Sequence, residues 1–188
     1  MDRARSASAA SRTLAIRLAL AVAGSLLLAL SAKVAVPMLP VPVTLQTLAL
    51  PLLVLALGRN LAVTATLLYL AEGAAGLPVF APIADGLPGL IGPTAGYLWM
   101  YPVAAFAIGT LLDRGLGATW LGRWAAIFAG DLIVFAGGVA WLMVAARLDA
   151  ATAIALGATP FVIGDLLKIS LASALPSQAA KIAARFTI

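Results

Sequence analysis

Asp165 and Lys168 stand at i and i+3 in the apolar stretch FVIGDLLKISLASAL. That spacing puts both side chains on one face of a helix and within reach of each other. Ionised residues near the centre of a membrane helix cost about 2.5–3.5 kcal/mol each on insertion scales, so two together call for a reason. Three readings are open: an ion pair that neutralises itself or clamps helices, an acceptor and donor for a polar solute, or a proton relay. Three further acids could join them. Glu72 falls at the outer end of an apolar segment and can snorkel to the interface. Asp131 lies deeper, in IFAGDLIVFAGGVAW, where it can pair with Lys168 or hydrogen-bond a neighbouring helix. Asp85, in a Gly- and Pro-rich loop, can point into a site as an acceptor or cap a turn.

The residue inventory excludes most enzymology. The chain has no cysteine and no histidine, so thiolate nucleophiles, thiolate metal sites and the commonest general base are missing. It carries no Ser/His/Asp set and no helical HExxH, and GPTAGY at 92–97 lacks the lysine and spacing of a phosphate-binding Walker A loop. The chain is therefore expected to bind or transport, without a cofactor or metal and without hydrolysing ATP itself.

The surroundings of these residues are those of a membrane. Of 188 residues, 63% are hydrophobic and 10% charged, against roughly 25% charged in a soluble domain, and mean hydropathy is +1.09. Six apolar segments are expected, at 14–32, 43–57, 61–73, 93–112, 121–145 and 159–180, the second and third short for spanning. Pro37, Pro40 and Pro42 interrupt 33–42, and four glycines and three prolines break 74–92. Such stretches cannot face lipid as regular helix and are expected to pack over the bundle. Pro93 suits the first turn of segment four and Pro102 should kink it. The fold expected is an all-α, six-helix membrane domain over 14–188, behind a cytoplasmic segment 1–13. That segment, with Arg3, Arg5 and Arg12, resembles a signal peptide, but no convincing cleavage site follows, so the first helix is expected to be retained.

A net charge of +5 and a pI near 10.3 do not mark a nucleic-acid binder, because the cations are scattered and lack aromatic interleaving. They report orientation instead. With the N-terminus inside, Arg3, Arg5, Arg12, Arg17, Arg59, Arg114, Arg123, Lys181 and Arg185 are cytoplasmic, whereas Lys33 and Arg147 are outside. Both termini are thus expected inside the cytoplasmic membrane, with the two broken loops and the start of segment six outside. Ala15, Ala19 and Ala23, nearly continued by Ala29, line one face of segment one. That face suits close packing within the bundle or docking of another membrane subunit.

Taken in order, VPVTLQTLAL at 41–50, LLYLAEGAAGLPVFA at 67–81, IGPTAGYL at 91–98 and GDLLK at 164–168 resemble one family, the biotin-specific substrate-capture (S) components, BioY type, of energy-coupling factor transporters. The resemblance implies a six-helix S-component fold and biotin capture from the outer side. It also implies an alanine-rich first helix that docks on a transmembrane coupling (T) subunit, with two ATPase subunits supplying energy. Asp165 and Lys168 match the family's ureido-binding acid and base, and the outer loops match its lid. Relatives carry a polar amide before GPTGGY where this chain has Ala84 and Asp85, and Ala95 is a smaller departure. Under this resemblance Gln46 and Thr44 would add neutral contacts, Tyr97, Phe80 or Trp141 would cover the apolar bicycle, and Lys33 would meet the ligand carboxylate or snorkel. A second copy of the chain is a further candidate partner. The competing expectations are a self-sufficient carrier coupled to protons through Asp131, Asp165 or Lys168, and a membrane-embedded enzyme or assembly subunit sharing the fold.

Overall fold

A computed structural model describes residues 2–82 and 89–178, with residues 2–10 as backbone only. Among these, the chain forms seven α-helices: α1 Asp2–Lys33, α2 Gln46–Leu57, α3 Arg59–Ala74, α4 Ala95–Asp113, α5 Trp120–Ala145, α6 Ala150–Gly157 and α7 Val162–Ser173. Four stretches are long and apolar enough to cross a bilayer: Ser11–Lys33, Ala95–Asp113, Trp120–Ala145 and Ala150–Ser173, the last containing both α6 and α7. At 12 and 16 residues, α2 and α3 fall below the roughly 20 residues of a straight span. The expected sixth segment starts earlier than 159. Its helix begins at Ala150, is interrupted by a 3-10 turn at Thr159–Phe161, and resumes as α7.

Each interruption has a local cause. Asp149 caps α6, its carboxylate accepting from the Thr152 N–H at 3.1 Å and hydroxyl at 2.6 Å. Those bonds, the hydroxyl's first, hold the Asp149 carboxyl below the ordinary carboxylate range. Pro160, at the start of the 3-10 turn, has no N–H to continue α6. Between α1 and α2, β1 (Ala35–Val36) and β2 (Val43–Thr44) pair antiparallel, Ala35 opposite Thr44 and Val36 opposite Val43. The expected proline-broken loop is therefore a small hairpin, and Pro37, Pro40 and Pro42 fall outside its paired residues.

The helices pack as a bundle in which α4 and α5 share the most extensive interface, α3 bridges α1 and α4, and α7 lies against α2 and α5. The α4–α5 approach is close because Gly138 leaves room for the Tyr97 ring, which a Cβ at that position would overlap. The inward face of α1 is Ala21, Gly24, Ser25, Leu28 and Ala32, whereas Ala15, Ala19 and Ala23 are exposed. The alanine stripe is thus not internal packing. Glu72 turns toward α1 and accepts from the Ser25 hydroxyl at 2.9 Å, so it does not reach out to the interface.

The two ends of the bundle differ in charge. At one, Arg59 meets Asp113 at 3.6 Å, and Arg123 donates to the carbonyls of Ser173 at 2.8 Å and Gly117 at 3.0 Å. The Ser173 contact satisfies an orphan carbonyl at the end of α7. At the opposite end the chain is tied by loops. Lys33 Nζ donates to the Phe80 carbonyl at 2.7 Å, and Trp141 Nε1 to the Gly92 carbonyl at 2.9 Å. Phe80 stands edge-on to Tyr69, 5.2 Å between centroids, in a slot that a Cβ at Gly73 would close.

These contacts predict two outcomes. Gly138→Ala forces its methyl into the Tyr97 ring and should cost about 1–3 kcal/mol, read as a lower Tm of the purified protein in detergent; an unchanged Tm would show that the ring is not seated there. Lys33→Met keeps the apolar stem and removes the bond to Phe80. Amide exchange at residues 79–81 should rise on the order of tenfold, and wild-type protection would mean that Lys33 does not hold this loop.

Candidate functional site

At the loop-covered end, α2, α4, α5 and α7 enclose a cavity of about 530 Å³ including its open mouth. Its apolar walls include Val41, Pro42, Leu98, Val134, Phe135 and Phe161, and its polar lining comes from Thr44, Gln46, Thr47, Thr94, Tyr97, Tyr101 and Lys168. Among the described lining residues Lys168 carries the one charge.

The Lys168 ammonium is held by three acceptors. It donates to the Thr44 carbonyl at 2.7 Å, to Asp165 Oδ1 at 2.8 Å and to Thr47 Oγ1 at 2.9 Å. Thr47 in turn donates its hydroxyl proton to Asp165 Oδ1 at 2.7 Å. All three ammonium N–H groups are therefore used. Asp165 is 2% exposed and its Oδ2 is buried without a hydrogen-bond partner among the described residues. It does not line the cavity but sits behind Lys168 and Thr47. Its position in the first turn of α7 puts the carboxylate at the favourable end of that helix's dipole.

A second polar chain runs from the cavity to the covering loop. The Thr44 hydroxyl accepts from the Gln46 backbone N–H at 3.2 Å, which turns the chain from β2 into α2, and donates to Gln46 Oε1 at 3.3 Å. Gln46 Nε2 donates to the Tyr69 hydroxyl at 2.8 Å, and that hydroxyl donates to the Val79 carbonyl at 3.4 Å. On the far side, the Tyr97 hydroxyl donates to the Gly157 carbonyl at 2.7 Å, at the end of α6. Prolines add a further feature. Pro51 in α2 and Pro102 in α4 lack the N–H that would bond the carbonyl four residues earlier. Those carbonyls belong to Thr47 and Leu98, both lining residues.

The residues singled out from sequence divide accordingly. Lys168, Thr44, Gln46 and Tyr97 line the cavity, and Asp165 bonds to Lys168. Phe80 packs on Tyr69 next to the lining residue Ala81, whereas Trp141 and Lys33 tie loops and are not lining residues. Asp85 lies outside the described residues, as do Ala84, Lys181 and the side chains of Arg3 and Arg5. Asp131 forms no ion pair within the described chain; Lys168 takes Asp165 as its partner, although Asp131 remains within electrostatic range of both. Sequence reasoning missed Thr47, Thr94, Tyr101, Phe135 and Phe161. Thr47 had a signal, a hydroxyl three residues after Thr44 at the entrance to an apolar helix. The aromatic residues had none that distinguished lining from core.

Comparison with known proteins agrees with this architecture. The crystal structure at 2.1 Å of the S-component for biotin from an ECF-type ABC transporter superposes with a TM-score of 0.75 over 93% of each chain, at 22% identity; the fold is shared. Among curated proteins, the biotin transporter BioY of Thermotoga maritima is 36% identical over 126 residues, 67% of this chain and 73% of that one. The probable biotin transporter BioY of Pyrococcus horikoshii is 34% identical over 118 residues, 63% of this chain and 67% of that one. The sequence pattern of the BioY family matches residues 3–185, nearly the whole length, and the chain belongs to that family.

Proposed function

We propose that this protein captures biotin at the outer face of the cytoplasmic membrane and delivers it inward as the substrate-specific component of an ECF-type transporter. The observation that carries the proposal is the cavity itself: a largely apolar pocket whose one charged lining group among the described residues is the held ammonium of Lys168, in a BioY-family chain. Biotin's ureido ring presents two N–H donors and a carbonyl. Lys168 donates to that carbonyl by exchanging its bond to the Thr44 backbone, and the apolar walls at Val134, Phe135 and Phe161 receive the bicycle. Asp165 holds Lys168 in place through their 2.8 Å ion pair. A charge-assisted bond of this kind is roughly twice as strong as a neutral one, and exclusion of water by the loops strengthens it.

On this reading six segments cross the membrane: α1, α2, α3, α4, α5, and α6 with α7. The shortness of α2 is acceptable because α2 lines the cavity and is largely covered by its neighbours. The arginine-rich end of the bundle is cytoplasmic and the cavity end outward. Ala15, Ala19 and Ala23, exposed on α1, form the docking face for a transmembrane coupling subunit, with two ATPase subunits supplying the energy; the chain itself catalyses no reaction.

Two measurements test this reading. Calorimetric titration of the purified protein with biotin should give saturable binding, with Kd raised at least tenfold in Lys168→Ala and Asp165→Asn; folded wild-type protein that shows no saturation would remove biotin as the substrate. Because the chain has no cysteine, single cysteines report sidedness cleanly. A cysteine at Leu39 should react with an impermeant maleimide in intact cells and one at Gly115 only after lysis, and the reverse pattern would invert the orientation.

A further inference from the structure

We infer that Asp131, with Asp165 Oδ2 and the Tyr101 hydroxyl, forms a binding site for one monovalent cation, a proton or Na⁺, whose occupancy tunes the ligand cavity beside it. The coupling to the cavity rests on the biotin reading above; the cation site does not. Asp131 lies eleven residues into α5 and fourteen from its end, about 16 and 21 Å along the helix. That is too deep for its short side chain to reach either interface. It faces the seam with the last span. Trp124 and Phe135 share its side of α5, Trp124 Nε1 donating to Ser170 Oγ at 3.2 Å and Phe135 packing on Phe161, 5.6 Å between centroids. These two contacts run antiparallel and set Asp131 level with the first turn of α7.

The charges at this level do not balance. Asp131 and Asp165 share one ammonium, and the three N–H groups of Lys168 are already taken by Thr44, Thr47 and Asp165. The titratable groups in electrostatic range of Asp131 are Asp165 and Lys168 on α7 and Tyr101 on α4. Asp131 has no hydrogen bond or ion pair among the described residues, so one negative charge is left inside the bilayer, where charge is expensive. Two further oxygens are uncommitted. Asp165 Oδ2 is buried without a partner among the described residues, on a residue 2% exposed. The Tyr101 hydroxyl, on a residue 4% exposed, makes no hydrogen bond among them either. Such oxygens are the ligands of hard cations, and a single positive charge makes the cluster neutral. A proton does so on the Asp131 carboxylate alone; Na⁺ draws on all three groups. Occupancy then reaches the ligand through Lys168. Without the cation, ionised Asp131 attracts the ammonium toward α5 and away from the ligand carbonyl. Biotin therefore binds more tightly to the loaded protein, and by linkage its binding takes up the cation.

The test measures biotin Kd by calorimetry, and the Tm of the ligand-free protein, for wild type and Asp131→Asn. Both are read from about pH 6 to pH 8, and again with NaCl replaced by N-methylglucamine chloride. Loading should tighten biotin binding by wild type about five- to tenfold and raise its Tm by about 2–4 °C relative to the variant. Acid does this if the cation is a proton, and NaCl does it if the cation is Na⁺. Asp131→Asn, neutral under every condition, should bind biotin about as tightly as loaded wild type and lose both dependences. Should Asp131→Asn fail to fold, Asp131→Thr takes its place. Wild type indifferent to both cations, or a folded variant that keeps the wild-type dependence, would overturn the site. Folded wild type that does not bind biotin would overturn the substrate reading instead, and the Tm comparison then decides the cation site by itself.

Discussion

One ammonium group organises this end of the molecule. Lys168 sits on a helix inside an apolar bundle, where an uncompensated charge would cost several kcal/mol, and its three donors are met from three places in the chain. The Thr44 carbonyl comes from the end of the small hairpin, the Thr47 hydroxyl from the first turn of α2, and the Asp165 carboxylate from its own helix. Two of the suppliers depend on an irregularity. The hairpin delivers Thr44 at the mouth of α2. The 3-10 turn at Thr159–Phe161 restarts the helix so that Asp165 falls in a first turn, where the dipole favours its charge. Removing the Asp165 carboxylate would strand the buried ammonium, which is more costly than the bond alone.

The covering loops obey the same economy of polar groups. Backbone carbonyls that would otherwise be unsatisfied near the membrane surface are taken by long side chains, the Phe80 carbonyl by Lys33 and the Gly92 carbonyl by Trp141. The glycines of this region make the approach possible: Phe80 rests against Gly73 and Gly89, where any Cβ would collide with it. Through Tyr69 and Gln46 the covering segment at Val79 is joined to the cavity lining by hydrogen bonds. The site and its cover are thus one network.

The sequence made some of this legible and hid the rest for physical reasons. Membrane-buried Asp165 and Lys168 stand out because hydrocarbon penalises charge, and the Gly/Pro-broken stretches stand out because hydrocarbon penalises open backbone. Thr44, Gln46 and Tyr97 were found among the lining residues. Which way a side chain points depends on how each helix is rotated by its neighbours, which spacing alone does not report. Hence Lys33 and Trp141 bind loops, Asp165 lies behind the wall, and the alanine stripe of α1 faces outward while Gly24 and Ser25 face in. The start of the last span was misplaced for a related reason. The segment expected from 159 begins instead at Ala150, because the Asp149 cap starts a helix ahead of the 3-10 turn that contains Pro160.

On the proposed function, the ligand's polar ring docks at the Lys168 cluster. A crystal structure of the purified protein with biotin bound tests this most directly. In that structure the ureido carbonyl should lie within hydrogen-bond distance of Lys168 Nζ, roughly 2.7–3.2 Å, with the bicycle against Phe135 and Phe161. A ligand seated elsewhere in the bundle, with Lys168 still bound to Thr44, Thr47 and Asp165, would contradict it.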